Sequence, residues 1–240
     1  MIISKEHFAP ATTPKKDISF PSILRPFKCD HLVRLGQDYD GGYIVNKMDI
    51  EKSNILISIG VKDDWSFEMD FSKINDCEMV CLDKESQVSP DDVFYSGHRQ
   101  MVYKNIGLEP SEDVIPFDHI INLPSDKIFL KMDVEGEEYK FLDLIIQNSN
   151  KFSSICIEFH YLNEAHNFDA LINFIGKIDH KLVHLHPNNC GMAFDKTWPH
   201  VMELSFTSSD NISYDPSLTL PNSLDMLCCP EGRDYQVNFF

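Results

Sequence analysis

A doubly wound α/β domain on a mostly parallel sheet is the fold class that these 240 residues predict, and three observations predict it. Short apolar runs recur along the chain, stretches with helical spacing lie between them, and after residue 180 two strand-like runs follow each other with no long helix between. Residues 1–30 hold Pro10, Pro14, Pro21 and Pro26 with little periodicity, and read as an extended arm or irregular cap. The runs then come in order: NILISIG at 54–60, CEMVCLD at 77–83, MVYKNIG at 101–107, KIFLKMD at 127–133 and SICIEFH at 154–160. Apolar residues on successive positions suit strands buried on both faces. Helical stripes run from Trp65 to Ile74, from Glu137 to Gln147 through Tyr139, Leu142, Ile145 and Ile146, and from Asn167 to Ile178 through Phe168, Leu171, Ile172 and Ile175. KLVHLHP at 181–187 and HVMELSF at 200–206 predict a terminal antiparallel pair. The expected organisation is a single domain of arm (1–30), core (32–206) and C-terminal wrap (207–240).

Charge narrows the function. Lys plus Arg is 21 against 38 Asp plus Glu, a formal charge of −17, which repels a phosphate backbone, so nucleic acid is not an expected partner. The same acidity suits a cationic ligand. No apolar run approaches the roughly 20 residues of a membrane span, and the start MIISKEHFAP has neither the basic nor the apolar region of a signal peptide, so a cytoplasmic protein is expected. Seven cysteines with no CxxC pair suggest buried thiols rather than a disulfide framework or a four-thiolate zinc site.

In an open α/β sheet ligands sit outside the carboxyl ends of the strands, so the residues where the runs stop matter most. The first run ends ISIGVKDDWSFE: Gly60 permits close backbone approach, and acids follow at Asp63, Asp64 and Glu68, which also suit a helix N-terminus. This is not a GxGxxG loop, and its acids disfavour a pyrophosphate and hence a nicotinamide oxidoreductase. Asp83 lies 23 residues after Gly60, close to the spacing of an acid that accepts from ribose hydroxyls; the other reading is a solvated surface carboxylate. A nucleoside without phosphates, such as S-adenosylmethionine (SAM) with its cationic sulfonium, fits both features. The fourth run ends KMDVEGEEYKFL, with Asp133 at the end of a central strand, Glu135 beyond it, and Glu137 and Glu138 explicable as first-turn acids. The fifth ends IEFHYL and brings Glu158 and His160 to the same edge. His184 and His186, two apart on a strand, share a face with Asn188 and Asn189 following, as ligands to a metal or as hydrogen-bonding groups. No HExxH-type spacing is present, and a divalent metal is not favoured.

IFLKMDVEGEEYKFL resembles the signature segment of the FkbM-type SAM-dependent methyltransferases. LVRLGQDYDGGYIV at 32–45, ISIGVKDDWSFE, LVHLHPNNCG and VMELSF resemble further segments of that family, from about residue 32 to 206. The resemblance implies a class I methyltransferase, Rossmann-like fold: seven mostly parallel strands, helices on both faces and an antiparallel last strand. It implies that Gly60 and the adjoining Asp64, Trp65 and Glu68 approach the methionine part of SAM, that Asp83 binds its ribose, and that Asp133 lies near the transferred methyl. Asp40, Gly41, Gly42 and Tyr43 would help close the cofactor pocket, or form a plain Asp-Gly-Gly turn. Lys62 stands where the family carries more glycine.

The expected activity is methyl transfer to a hydroxyl or phosphate-type oxygen of a sugar, capsular glycan precursor or related small metabolite. His160 is the first candidate for base and Asp133 the second, with Glu135, His160, His184, His186 and Asn188 around the acceptor. The competing expectation is a catalytically degenerate SAM-binding protein used for recognition or assembly.

Overall fold

The structure is a computed structural model that describes residues 16–87, 94–95, 97–190 and 198–240. The described chain opens with β1 (Lys16–Phe20), followed by the hairpin of β2 (Leu32–Leu35) and β3 (Tyr43–Asn46) and then α1 (Lys47–Lys52), whose first turn is capped by the Asn46 side chain accepting from Met48 N. Then come β4 (Ile55–Ile59), α2 (Ser66–Ile74), β5 (Glu78–Leu82), β6 (Arg99–Val102), β7 (Asn105–Gly107), β8 (Val114–Pro116), α3 (Phe117–Ile121) and β9 (Ile128–Met132). The rest is α4 (Leu142–Gln147), β10 (Phe152–Phe159), α5 (Ala165–Lys177), β11 (Lys181–Pro187), β12 (Met202–Thr207) and β13 (Tyr235–Phe239).

Seven strands form the central sheet in the order β6-β5-β4-β9-β10-β12-β11. Every pairing is parallel except those of β12, which runs antiparallel to both β10 and β11. The last core strand is thus inserted between its two predecessors rather than added at the edge. Chain order reverses between β4 and β9, since β5 and β6 lie on one side of β4 and β9 and β10 on the other, and such a switch point opens a crevice at the carboxyl ends.

Strand alternation separates two cores. Ile55, Ile57 and Ile59 of β4, Leu130 and Met132 of β9 and Ile155, Ile157 and Phe159 of β10 pack with Phe117 of α3, Ile145 of α4 and Leu171 and Phe174 of α5. On the opposite face Leu56, Phe129 and Cys156 pack with Ile50 of α1, Phe67 and Phe71 of α2, and Tyr43 and Val45 of the hairpin. This second face also carries a polar row. Ser58 is in register with Lys131, and Glu158 with Glu203, which is itself in register with His186. Period-2 alternation put these residues on one side while the intervening apolar residues filled the other.

Several expectations need correction. Helices cover both faces but are fewer than the class I resemblance implies. The stretch at 137–147 breaks into a 3-10 turn at Glu138–Lys140 and the short α4, because the Glu138 side chain folds back to accept from Gly136 N (2.9 Å) and His160 N (2.6 Å). MVYKNIG splits into β6 and β7, and β7 leaves the sheet to pair with β8. The arm, expected to be extended or an irregular cap, is joined to the wrap: β1 pairs in parallel with β13 as a two-stranded sheet of their own. The thiol expectation fails for Cys190 and Cys229, which form a disulfide. Asn189 holds those segments together, Nδ2 donating to Cys229 O and Oδ1 accepting from Cys229 N, both at 2.8 Å. Among the described residues, no helix is long and apolar enough to cross a membrane.

Candidate functional site

The site begins with a glycine. Gly60 ends β4 at φ +80°, and a Cβ there would overlap the carbonyl oxygen of Asp133 at the end of β9. Asp133 N donates to Ile59 O (2.9 Å) and Gly60 N to Leu82 O (2.9 Å), so three strand ends are laced together at the switch point. Above them lies a cavity of about 550 Å³, a size suited to a small molecule, whose walls include Gly60, Asp83, Lys104, Ile106, Asp133 and Glu135. Asp83 accepts from Lys62 N and from Glu85 N, both at 2.7 Å, so its carboxylate organises the loop while facing the cavity. Of the four described non-glycine residues with positive φ, three lie in carboxyl-end loops of the central sheet, Lys62 (50°), Glu135 (54°) and Tyr161 (52°), and the fourth, Tyr39 (69°), lies in the β2–β3 turn. Backbone strain of this kind collects at functional sites.

Carboxylates crowd the next layer. His160 Nε2 lies 3.7 Å from Asp133 Oδ1, 3.6 Å from Glu135 Oε2 and 4.0 Å from Glu158 Oε2, and its Nδ1 lies 3.4 Å from Glu138 Oε1. Burial works against the imidazolium, but Glu138, Asp133 and Glu135 outweigh it and hold the His160 pKa above its ordinary value. Burial, then Asp133, Glu203 and Asp40, push the Glu158 carboxyl well above the usual range. The Tyr43 hydroxyl keeps its proton, because burial, then Asp133, Glu158 and Glu203, raise its pKa, and its single O–H is shared between Asp133 Oδ2 at 3.2 Å and Glu158 Oε2 at 3.4 Å. Asn188 Nδ2 spans Asp40 Oδ1 (3.2 Å) and Glu158 Oε1 (3.1 Å). Asp133 Oδ1, although buried, makes no hydrogen bond among the described residues.

The structure therefore brings together Gly60, Asp83, Asp133 and Glu135 on the cavity, with His160 beside them and Asp40, Tyr43 and Asn188 behind. Gly41 sits under Asp64, and Gly42 is pressed against the Arg34 guanidinium, so the Asp-Gly-Gly segment closes the hairpin over the acids rather than touching the cavity. Asp64 caps the next turn by accepting from Ser66 N (3.0 Å), and Trp65 packs edge-on to Tyr95. Glu68 is fully buried; it accepts from the Ser58 hydroxyl, and the buried Lys131 ammonium lowers its pKa against the larger upward effect of burial, so it supports the sheet and does not reach the cavity. His184 is not at the site either: it is sealed against Asp225, Nε2 to Oδ1 2.8 Å. His186 also lies apart, beside Glu203, Cys228 and Asp234.

Reading the sequence took Glu138 for a first-turn acid and missed that its carboxylate ties two loops together; it placed Glu158 at the strand edge but missed the row that it forms with Lys131 and Glu203. A signal existed for the row: each is a lone charged residue inside an apolar run, at a position whose neighbours point the other way. Compared with known proteins, the chain matches no protein-family model and no curated protein.

Proposed function

We propose that the chain is a SAM-dependent O-methyltransferase whose acceptor is a hydroxyl of a sugar, glycan precursor or related small metabolite. One observation carries the reading: an acid-walled cavity at the sheet's switch point, lined by Asp83, Asp133, Glu135 and Glu137 at the strand ends. A wall rich in carboxyl groups suits a cationic or N–H-bearing ligand. SAM offers both in its sulfonium and amino groups, and the seven-stranded sheet with its last strand reversed agrees with the same reading.

The residues fit that cofactor. Asp83 faces the cavity with lone pairs left for ribose hydroxyls, Gly60 allows close approach, and Leu82, Ile106 and Val114 supply apolar wall for a base. Bound there, SAM supplies an electrophilic methyl group, and what the protein adds is positioning and proton transfer. His160, reaching between Asp133 and Glu135, takes the acceptor proton. Its raised pKa means that it works as a base only once deprotonated, so the rate rises with pH through that raised value. The surrounding carboxylates repel an already anionic phosphate-type oxygen, which favours a neutral hydroxyl as acceptor.

The test is methyl transfer from isotopically labelled SAM to nucleotide-activated sugars and glycan intermediates. His160→Ala should retain the fold and lose about 10²–10⁴-fold in turnover, and Asp133→Ala should lose both turnover and SAM affinity. Wild-type turnover in both variants refutes these roles. A folded protein that takes up neither SAM nor S-adenosylhomocysteine in calorimetry refutes the reading as a whole.

A further inference from the structure

Beyond the cavity, the polar row ends in a cluster that the methyl-transfer reading does not use. His186 of β11, Glu203 of β12 and Cys228 of the C-terminal wrap are 2%, 5% and 4% exposed, and each turns a ligand-type atom toward the others. Cys228 Sγ lies 3.4 Å from Glu203 Oε1 and 3.9 Å from His186 Nδ1, and His186 Nδ1 lies 3.6 Å from Glu203 Oε2. We infer that His186 Nδ1, the Glu203 carboxylate and Cys228 Sγ bind a divalent zinc-class ion.

Three independent features support the site. Tetrahedral zinc, with Zn–S about 2.3 Å and Zn–N or Zn–O about 2.0–2.1 Å, places ligand atoms roughly 3.3–3.6 Å apart, close to the spacings observed. The nitrogen–oxygen separation of 3.6 Å, by contrast, is too long for a hydrogen bond. Next, Glu203 stands in register with Glu158 across two antiparallel strands, so two carboxyl groups crowd one buried position that a cation at Glu203 relieves. Finally, His186 Nε2 is buried, makes no hydrogen bond among the described residues, and faces Asp234 Oδ1 at 3.5 Å, the outer carboxylate that typically orients a metal-bound imidazole. A thiolate, an imidazole and a carboxylate together select zinc over magnesium or calcium. Binding releases the Cys228 thiol proton to solvent and pins the wrap to β11 and β12.

The test uses the full chain without reductant, so that Cys190 and Cys229 stay paired. Cobalt(II) should give one thiolate charge-transfer band per chain, displaced by one equivalent of zinc, lost in Cys228→Ser and kept in Cys156→Ser. Asp234→Asn should weaken zinc binding by about 10–100-fold. Absence of stoichiometric zinc, zinc bound without the thiolate band, or a band that persists in folded Cys228→Ser overturns the site. Should Cys228→Ser not fold, alkylation of the wild-type chain decides: zinc must protect Cys228, and equal labelling with and without zinc overturns the proposal.

Discussion

Gly60→Ala lowers the thermal midpoint by about 6–12 °C and removes the cavity's binding function, whereas Gly97→Ala lowers it by only about 2–4 °C. The two glycines share the left-handed conformation, φ +80° and +68°, so an alanine at either costs about 1 kcal/mol or a little more in backbone strain. They differ in what the new methyl group meets. Among the described residues nothing lies within 4 Å at Gly97, while at Gly60 the methyl overlaps the Asp133 carbonyl oxygen, and a backbone atom cannot swing aside as a side chain can. Overpacking adds about 1–3 kcal/mol, for a total near 3 kcal/mol, and for a domain of this size each kcal/mol shifts the midpoint by about 2–4 °C. The easiest relief is to part the loops after β4 and β9, which displaces Asp133 from the cavity wall. A shift of about 1 Å at a reacting centre costs up to about 100-fold in rate. Scanning calorimetry with ligand titration on both variants checks this; equal midpoints for the two would mean that close approach at Gly60 is not what sets the geometry.

The parts of this fold that were legible in the sequence are those where one periodicity governs. Four of the five apolar runs, those at 54–60, 77–83, 127–133 and 154–160, became strands of the sheet at nearly their expected positions, because a parallel strand inside a sheet needs little beyond continuous hydrophobicity. Helices α2 and α5 were legible because their stripes are uninterrupted. The stretch at 137–147 was misleading for a tertiary reason. Glu138 reads as an ordinary first-turn acid, yet its carboxylate is used by Gly136 N and His160 N, which lie on two different loops. The insertion of β12 between β10 and β11 was likewise invisible, since a hydrophobic run specifies burial but not its neighbours. At the site, Gly60, Asp83, Asp133 and His160 announced themselves by standing where runs end. His184 lies in the middle of β11 and is consumed by Asp225, a pairing that depends on a segment 41 residues away that carries no local pattern.

Lys131 shows how one face of the sheet supports the other. Its ammonium is fully buried beneath the Tyr43 ring, 5.0 Å from the centroid, and donates to Gly60 O at 3.4 Å. Burial alone would lower its pKa, yet Glu68, Asp133 and Glu158 hold it above the ordinary value, so it remains the cation among the buried acids of the row. The same ammonium that lets Glu68 be buried also touches the strand end on which the cavity is built.

Glu138→Gln separates the structural from the electrostatic part of the site. In the wild type both carboxylate oxygens accept backbone N–H bonds, and one of them also faces His160 Nδ1. Glutamine keeps the shape and one acceptor but turns its NH₂ toward a second donor, and hydrogen bonds to a charged group contribute about 1.5–3 kcal/mol each, so a loss of about 2–3 kcal/mol in urea unfolding is expected. The pH dependence carries a definite sign. Burial depresses the His160 pKa, Glu138 leads the acids that raise it, and the net folded value lies above the ordinary one. A raised histidine adds stability that is fully present below the unfolded value of about 6.5 and is lost as pH rises through the folded value. The destabilisation by Glu138→Gln should therefore be largest below about pH 6.5 and shrink at alkaline pH. In the same variant, the imidazole titration of His160 read by NMR should move to lower pH, and the rising limb of the pH–rate profile should move with it, while His160→Ala abolishes that limb. An NMR titration left in place by the glutamine would show that Asp133 and Glu135, not Glu138, hold the proton on His160.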